Sequence, residues 1–214
     1  MNRAMRMAHR LSEPARMRYA GDVFHTGSGR LRDRVVSSSY FALSTPLWGD
    51  LSTDASHLAT FRAGLDELGS RAVQPSFIVD VGTGAGASAA LLAERWPTAR
   101  VEAIDSSWRM LHRARRMHAS GNLKFRRASA LAMPYPAGAV DLVTCLNAIV
   151  VPREMRRVCT PGGYVLAAAT WVSLRDEDSD WVRAFADQGL RRVAAGSLGS
   201  GSWELFQSGI EGSS

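Results

Sequence analysis

Phe77-Ile78-Val79-Asp80-Val81-Gly82-Thr83-Gly84-Ala85-Gly86-Ala87 opens as an apolar run broken by one acid and closes on three alternating glycines. The run reads as a buried strand, because strands covered on both faces are nearly continuous in apolar residues. The glycines read as a tight turn that lets a ligand approach bare backbone. Ala87 and the Ala-rich stretch after it begin a helix, whose first N–H groups point at whatever sits before them. Strand, glycine turn and helix in this order make a nucleotide- or nucleoside-binding element.

Strands and helices alternate beyond it. Ala87–Arg95 and Arg109–His118 read as helices, and Arg100–Asp105 and Leu123–Arg126 as the second and third strands. Asp141–Leu146 is a fourth strand, apolar enough to be central, followed by a helix at Arg153–Cys159. Pro161-Gly162-Gly163 reads as a sharp turn into a fifth strand, Tyr164–Ala169. Such alternation predicts a parallel sheet with helices on both faces. After a helix at Trp181–Gln188, two short strands, Arg191–Ala195 and Trp203–Gln207, flank the Gly/Ser-rich stretch 196–202 and predict an antiparallel pair at the sheet edge. The expected fold is α/β: a Rossmann-like, doubly wound, mostly parallel seven-stranded sheet with an antiparallel C-terminal strand.

Before the glycine turn, Ser56–Leu68 reads as an amphipathic helix with Leu58, Phe61, Leu65 and Leu68 at helical spacing. Residues 1–70 are expected to form a basic arm and helical cap, 71–207 the ligand-binding core, and 208–214 a frayed tail. A chain of 214 residues is long enough for one well-packed domain. No apolar run approaches the ~18 residues needed to span a bilayer. The N-terminus carries arginines but no apolar core region, so it does not read as a secretory signal. Cys145 and Cys159 stand in apolar surroundings with no CxxC pattern, which fits free thiols and predicts a cytoplasmic protein. The five histidines show no metal-ligand spacing, and no metal is expected.

Charge is uneven. Residues 1–36 carry +5 and residues 106–127 carry +7 with no acid, against a whole-chain net charge of +6. Basic blocks suit nucleic acid or an anionic membrane, although a solvated basic face is the simpler reading.

The glycine pattern alone fits a dinucleotide or S-adenosylmethionine, and Asp105, closing the next strand, could accept ribose hydroxyls from either. Asp80 separates them: a carboxylate there would repel a diphosphate and suits a ligand carrying an ammonium. Here the chain resembles the class I S-adenosylmethionine-dependent methyltransferases, most closely the ubiquinone/menaquinone-biosynthesis and small-molecule branch. The resemblance covers about residues 77–170. It rests on Val79–Ala87, on Ala103–Leu111, on Ala130–Val143 and on Met155–Gly163, four blocks in the family's order. It implies S-adenosylmethionine as cofactor and a small-molecule acceptor. It also implies that Asp80 orients the methionine ammonium and that Gly82, Thr83, Gly84 and Gly86 give close approach. Asp105 would bind the ribose, Ser106 and Met110 would border the adenine, and Cys145 and Leu146 would line the methionine side.

Two departures stand out. Ser129 occupies a position that is usually acidic in the family; its hydroxyl and the Ala130 N–H would read the adenine. After the fourth strand, Asn147-Ala148-Ile149-Val150-Val151-Pro152 is short and lacks the family's histidines. Asn147 and Tyr40 are the candidate acceptor-side residues, with Trp48, Tyr135 and His25 behind them. The competing readings are a non-catalytic S-adenosylmethionine-binding protein, and a methyltransferase acting on RNA or a membrane-associated lipid.

Overall fold

The computed structural model describes residues 55–148, 150–170, 180–199 and 201–209. The basic arm, His25, Tyr40, Trp48 and the extreme C-terminus lie outside the described residues. Seven strands form one sheet: β1 (Phe77–Val81), β2 (Arg100–Asp105), β3 (Leu123–Arg127), β4 (Val140–Leu146), β5 (Cys159–Ala169), β6 (Leu190–Leu198) and β7 (Gly201–Ser208). Their order is β3-β2-β1-β4-β5-β7-β6. Adjacent pairs from β3 to β5 are parallel, and β7 runs antiparallel to both β5 and β6. The expected α/β fold is therefore present, with a single reversed strand that lies inside the sheet and β6 at its edge.

Helices cover both faces, and strand alternation decides what each residue meets. Ile78, Leu142 and Leu166 join a cluster with α1 (Ala55–Ser70) and α2 (Ala87–Arg95), while Val79, Val143 and Val165 join another with α4 (Pro152–Val158) and α5 (Asp180–Ala186). The fifth helix, α3 (Trp108–Met117), packs on β2 and β3. Phe185 of α5 stacks on Phe206 of β7 with ring centroids 4.1 Å apart. The switch in connection direction falls between β1 and β4, where open α/β sheets leave a crevice at the strands' carboxyl ends.

Three local expectations change. Pro161-Gly162-Gly163 is a bulge within β5 rather than a turn before it. Cys159 pairs with Val140 and Tyr164 with Leu142, so residues 160–163 stand opposite Asp141 alone. Gly162 takes φ +79° to make this possible. The Gly/Ser stretch 196–202 is mostly strand, because Leu198 already pairs with Gly201. Gly196 serves packing: a Cβ there would lie 2.7 Å from the Trp203 ring. Finally, α1 is a layer of the sheet. Phe61 and Leu68 are fully buried in the same cluster as Ile78 and Leu205, and Gly64 leaves room for Leu166 beneath it.

The burial of α1 makes a test. Phe61→Ala should lower the free energy of unfolding by about 3–5 kcal/mol in urea titration; a change under about 1 kcal/mol would show that α1 is a detachable cap.

Candidate cofactor-binding site

β1 ends at Val81, and the chain turns through Gly82 (φ +68°), Gly84 (φ +56°) and Gly86 (φ +89°) into α2. Backbone bonds fix the turn: the Ile104 carbonyl accepts from Gly82 N–H at 2.8 Å and from Thr83 N–H at 3.1 Å, and Gly86 N–H donates to the Thr83 carbonyl. The three glycines meet different surroundings. A Cβ on Gly82 would collide with Ala148 after β4, and one on Gly86 would press on Phe125 and Ala114. A Cβ on Gly84 would meet nothing within 4 Å. Two glycines serve packing, and the third leaves bare backbone facing open space.

Asp105 closes β2 beside this open position. Its Oδ2 accepts from Gly84 N–H at 2.9 Å and its Oδ1 from Ser107 N–H at 2.8 Å. Burial raises its pKa, opposed by the N–H groups of Ser107, Gly84 and Ser106. Ser107 in turn caps α3, accepting from Met110 N–H, which sets Met110 as a buried residue beneath exposed Ser106.

Asp80 is fully buried under the turn. Its side chain points to the α2 face of the sheet, where Ser88 Oγ donates to Oδ2 at 2.7 Å. Thr144, its register partner on β4, donates to Oδ1 at 2.8 Å. Burial pushes the Asp80 carboxyl above its usual range; the hydroxyls of Thr83, Ser88 and Thr144 pull it down, and the like charge of Asp105 adds to the rise. Thr83 Oγ1 is buried beneath the turn, on the Asp80 side. Ser88 and Thr144 carried no signal of this role in the sequence, because only strand register and the helix's seating bring them to Asp80.

The remaining predicted residues divide. Cys145 and Leu146 end β4 level with Val81, both buried. Cys145 faces the α4 side, and burial with the nearby Asp80 charge pushes its thiol up to about 12, so it is not a nucleophile. Ser129 and Ala130 follow β3 at the same end of the sheet; Ser129 Oγ accepts from Leu131 N–H at 3.2 Å, a turn-making bond that occupies one of its lone pairs. Asn147 takes φ +52° and clamps β5: its Nδ2 donates to Thr170 Oγ1 at 2.7 Å, and its Oδ1 accepts from Thr170 N–H at 2.9 Å. Thr170 Oγ1 reaches the His57 carbonyl of α1. Asn147 thus braces β4 against β5 with the side chain that was expected to face an acceptor. Tyr135 is also removed from the site. It is buried against Phe77 at the opposite end of β1, and its hydroxyl donates to Glu102.

The arrangement discriminates between ligands. A diphosphate on the turn would lie above the buried Asp80 carboxyl and would meet a Gly84 N–H already taken by Asp105. A ribosyl ligand with a nearby cation meets acceptors and open backbone instead. Residues 78–163 match the family described as a methyltransferase domain. Over this segment the chain is similar to the class I S-adenosylmethionine-dependent methyltransferases.

Curated relatives agree with this. A trans-aconitate 2-methyltransferase of Azoarcus is 40% identical over 96 residues, covering 41% of this chain and 36% of the relative. A demethylmenaquinone methyltransferase of Thermus thermophilus is 39% identical over 101 residues, covering 43% and 46%. The chain thus spans less than half the length of these relatives. Among solved structures, an S-adenosylmethionine-dependent methyltransferase from Aquifex aeolicus superposes with a TM-score of 0.61 at 20% identity, covering 76% of this chain and 97% of that one. S-adenosylmethionine is the cofactor of such methyltransferase domains.

The buried Asp80 charge opposes stability. A carboxyl whose pKa is raised by folding is favourable to stability when protonated, and that benefit is lost as pH rises through the raised value. Asp80→Asn should therefore be at least as stable as the wild type at pH 7 in urea titration, with its relative advantage shrinking as pH falls toward the ordinary carboxylate range. A large loss of stability at pH 7 would show instead that the two hydroxyl bonds outweigh desolvation.

Proposed function

We propose that this chain moves the methyl group of S-adenosylmethionine to a small-molecule acceptor. The observation that carries this reading is the Asp105 carboxylate, held by the Gly84 and Ser107 N–H groups beside the one turn glycine that faces open space. In this role Asp105 accepts the ribose hydroxyls on its remaining lone pairs. The backbone of Gly82, Thr83, Gly84 and Gly86 gives close approach. Asp80 acts from beneath the turn through its field, which favours the ammonium end of the ligand without direct contact. Ser106 and Met110 border the adenine, Ser129 and Ala130 read its edge, and Cys145 and Leu146 line the methionine side. When bound, S-adenosylmethionine supplies a methyl activated by its sulfonium, so the protein's part is positioning and exclusion of water.

The relatives' names divide between acids and demethylmenaquinone. Several are named for acids: trans-aconitate, malonyl-[acyl-carrier protein] and fatty acid. An ionised carboxylate attacks without a general base. That matches a β4 end where Asn147, the residue best placed to assist, is bound to Thr170. We therefore favour a small carboxylic acid as acceptor. Radiolabelled S-adenosylmethionine with a panel of organic and fatty acids should give a base-labile methyl ester; a label that resists base points to another acceptor atom, and tight cofactor binding with no transfer to any acceptor points to a binding protein.

Each hydrogen bond to a charged group contributes about 1.5–3 kcal/mol. Asp105→Ala should accordingly weaken S-adenosylhomocysteine binding at least about tenfold by calorimetry. Unchanged affinity would remove Asp105 from the site.

A further inference from the structure

The acid-free block 106–127 folds into α3 and the edge strand β3 and lines this edge of the sheet with cations. On α3, Arg109, Arg115 and Arg116 are exposed, while Met110, Leu111 and Ala114 are buried. On β3, the edge strand, Lys124, Arg126 and Arg127 are exposed. Leu123 and Phe125 face α3, so Lys124 and Arg126 point to the other side of the sheet and the cations wrap around its edge. No described carboxylate forms an ion pair with Arg109, Arg115, Arg116, Lys124 or Arg127. Two guanidinium groups are held by backbone instead: Arg115 donates to the Phe125 carbonyl at 2.7 Å and Arg127 to the Ser106 carbonyl at 3.1 Å.

Apolar side chains border this face. Trp108 is 60% exposed and Met117 41% exposed, and they are two of the three exposed large hydrophobic residues among those described. At 3.6 residues per turn they stand on opposite borders of the outward face of α3, with Arg109, His112 and Arg116 along its middle. Arg109 lies 5.7 Å from the Trp108 ring. Trp108 follows Asp105 by three residues, so the face begins at the mouth of the cofactor site.

We propose that this face docks on an anionic lipid bilayer. Headgroup phosphates would take the cations without an ion pair, and the interfacial region would take the exposed Trp108 and Met117. A single nucleic-acid strand fits less well. It is bound by grooves or by several aromatic platforms, whereas this edge has one exposed aromatic residue among those described, and a nucleic-acid strand would leave Met117 without a role. Docking would bring the cofactor crevice to a surface into which apolar acceptors partition. The attraction itself does not depend on the reaction proposed above.

The test uses the whole chain with two vesicle types, phosphatidylcholine alone and phosphatidylcholine with about 30% phosphatidylglycerol. The protein should sediment with the anionic vesicles only, and less so as salt rises. The combined variant Arg109→Glu, Arg116→Glu, Lys124→Glu should bind them at least about tenfold more weakly. Trp108→Ala should also weaken binding. S-adenosylhomocysteine should shift thermal unfolding of these variants as it does the wild type, which reads the cofactor site separately from the membrane face. The proposal is overturned by failure to bind anionic vesicles at low salt. It is equally overturned by undiminished binding of the triple variant, which would assign the attraction to residues 1–36. An RNA oligonucleotide that binds the wild type but not the triple variant, where vesicles do not bind, would assign the face to nucleic acid.

Discussion

A single buried charge organises the ligand end of this sheet. Asp80 stands at a register position where a central strand would ordinarily place an apolar residue. Removing a carboxylate from water costs several kcal/mol even after relaxation. The bonds from Ser88 and Thr144 return about 1.5–3 kcal/mol each, and the raised pKa shows that desolvation still dominates. The charge therefore detracts from stability, while tying β1, α2 and β4 together directly beneath the glycine turn. A fold under selection for stability alone would place valine there. We attribute its presence to the ligand proposed above, whose positive end would lie near the turn, since field strength in a dry interior exceeds that at the surface.

The turn above Asp80 depends on that geometry. With Gly82 and Thr83 both bonded to the Ile104 carbonyl, the chain lies over the end of β2 and brings Gly84 to Asp105. Ala148 fills the space beside Gly82, so β4's exit and β1's turn fit only in the absence of a side chain. Asn147 fixes that exit. Its positive φ is tolerated because asparagine visits the left-handed region more readily than other L-residues, and its amide holds Thr170 and through it α1. The crevice wall is thus tied to α1 by one chain of hydrogen bonds.

Much of this was legible in the sequence, for a physical reason. Parallel strands buried on both faces must be apolar throughout, so β1 and β4 announce themselves, and the bounds of β1, α2 and β2 agree with those expected. Turn glycines are legible because few residues reach positive φ. Register is not legible. Nothing in the chain says that Asp80 lies beside Thr144 or that β7 inserts between β5 and β6, since those facts follow from how separate segments stack. Gly196 misled for a related reason: glycine marks both a loop and a close approach, and only the Trp203 ring distinguishes them. Asn147 looked like a ligand group because of where it stands in the chain, and its bonds to Thr170 exist only in three dimensions.

The basic edge poses the same ambiguity of residue type against context. Edge strands are commonly guarded by charge, since an exposed ladder invites pairing with another chain. That accounts for Lys124 and Arg126 on β3, whose backbone would otherwise be a template. It does not account for Arg109 and Arg116, which sit on a helix with no ladder to protect, nor for Trp108 and Met117 among them. Guarding an edge needs charge of either sign, and mixed charge would serve solubility better than a block of one sign. A run of seven cations without a single acid keeps a positive potential over the whole edge, and partners of opposite charge are what such a potential selects.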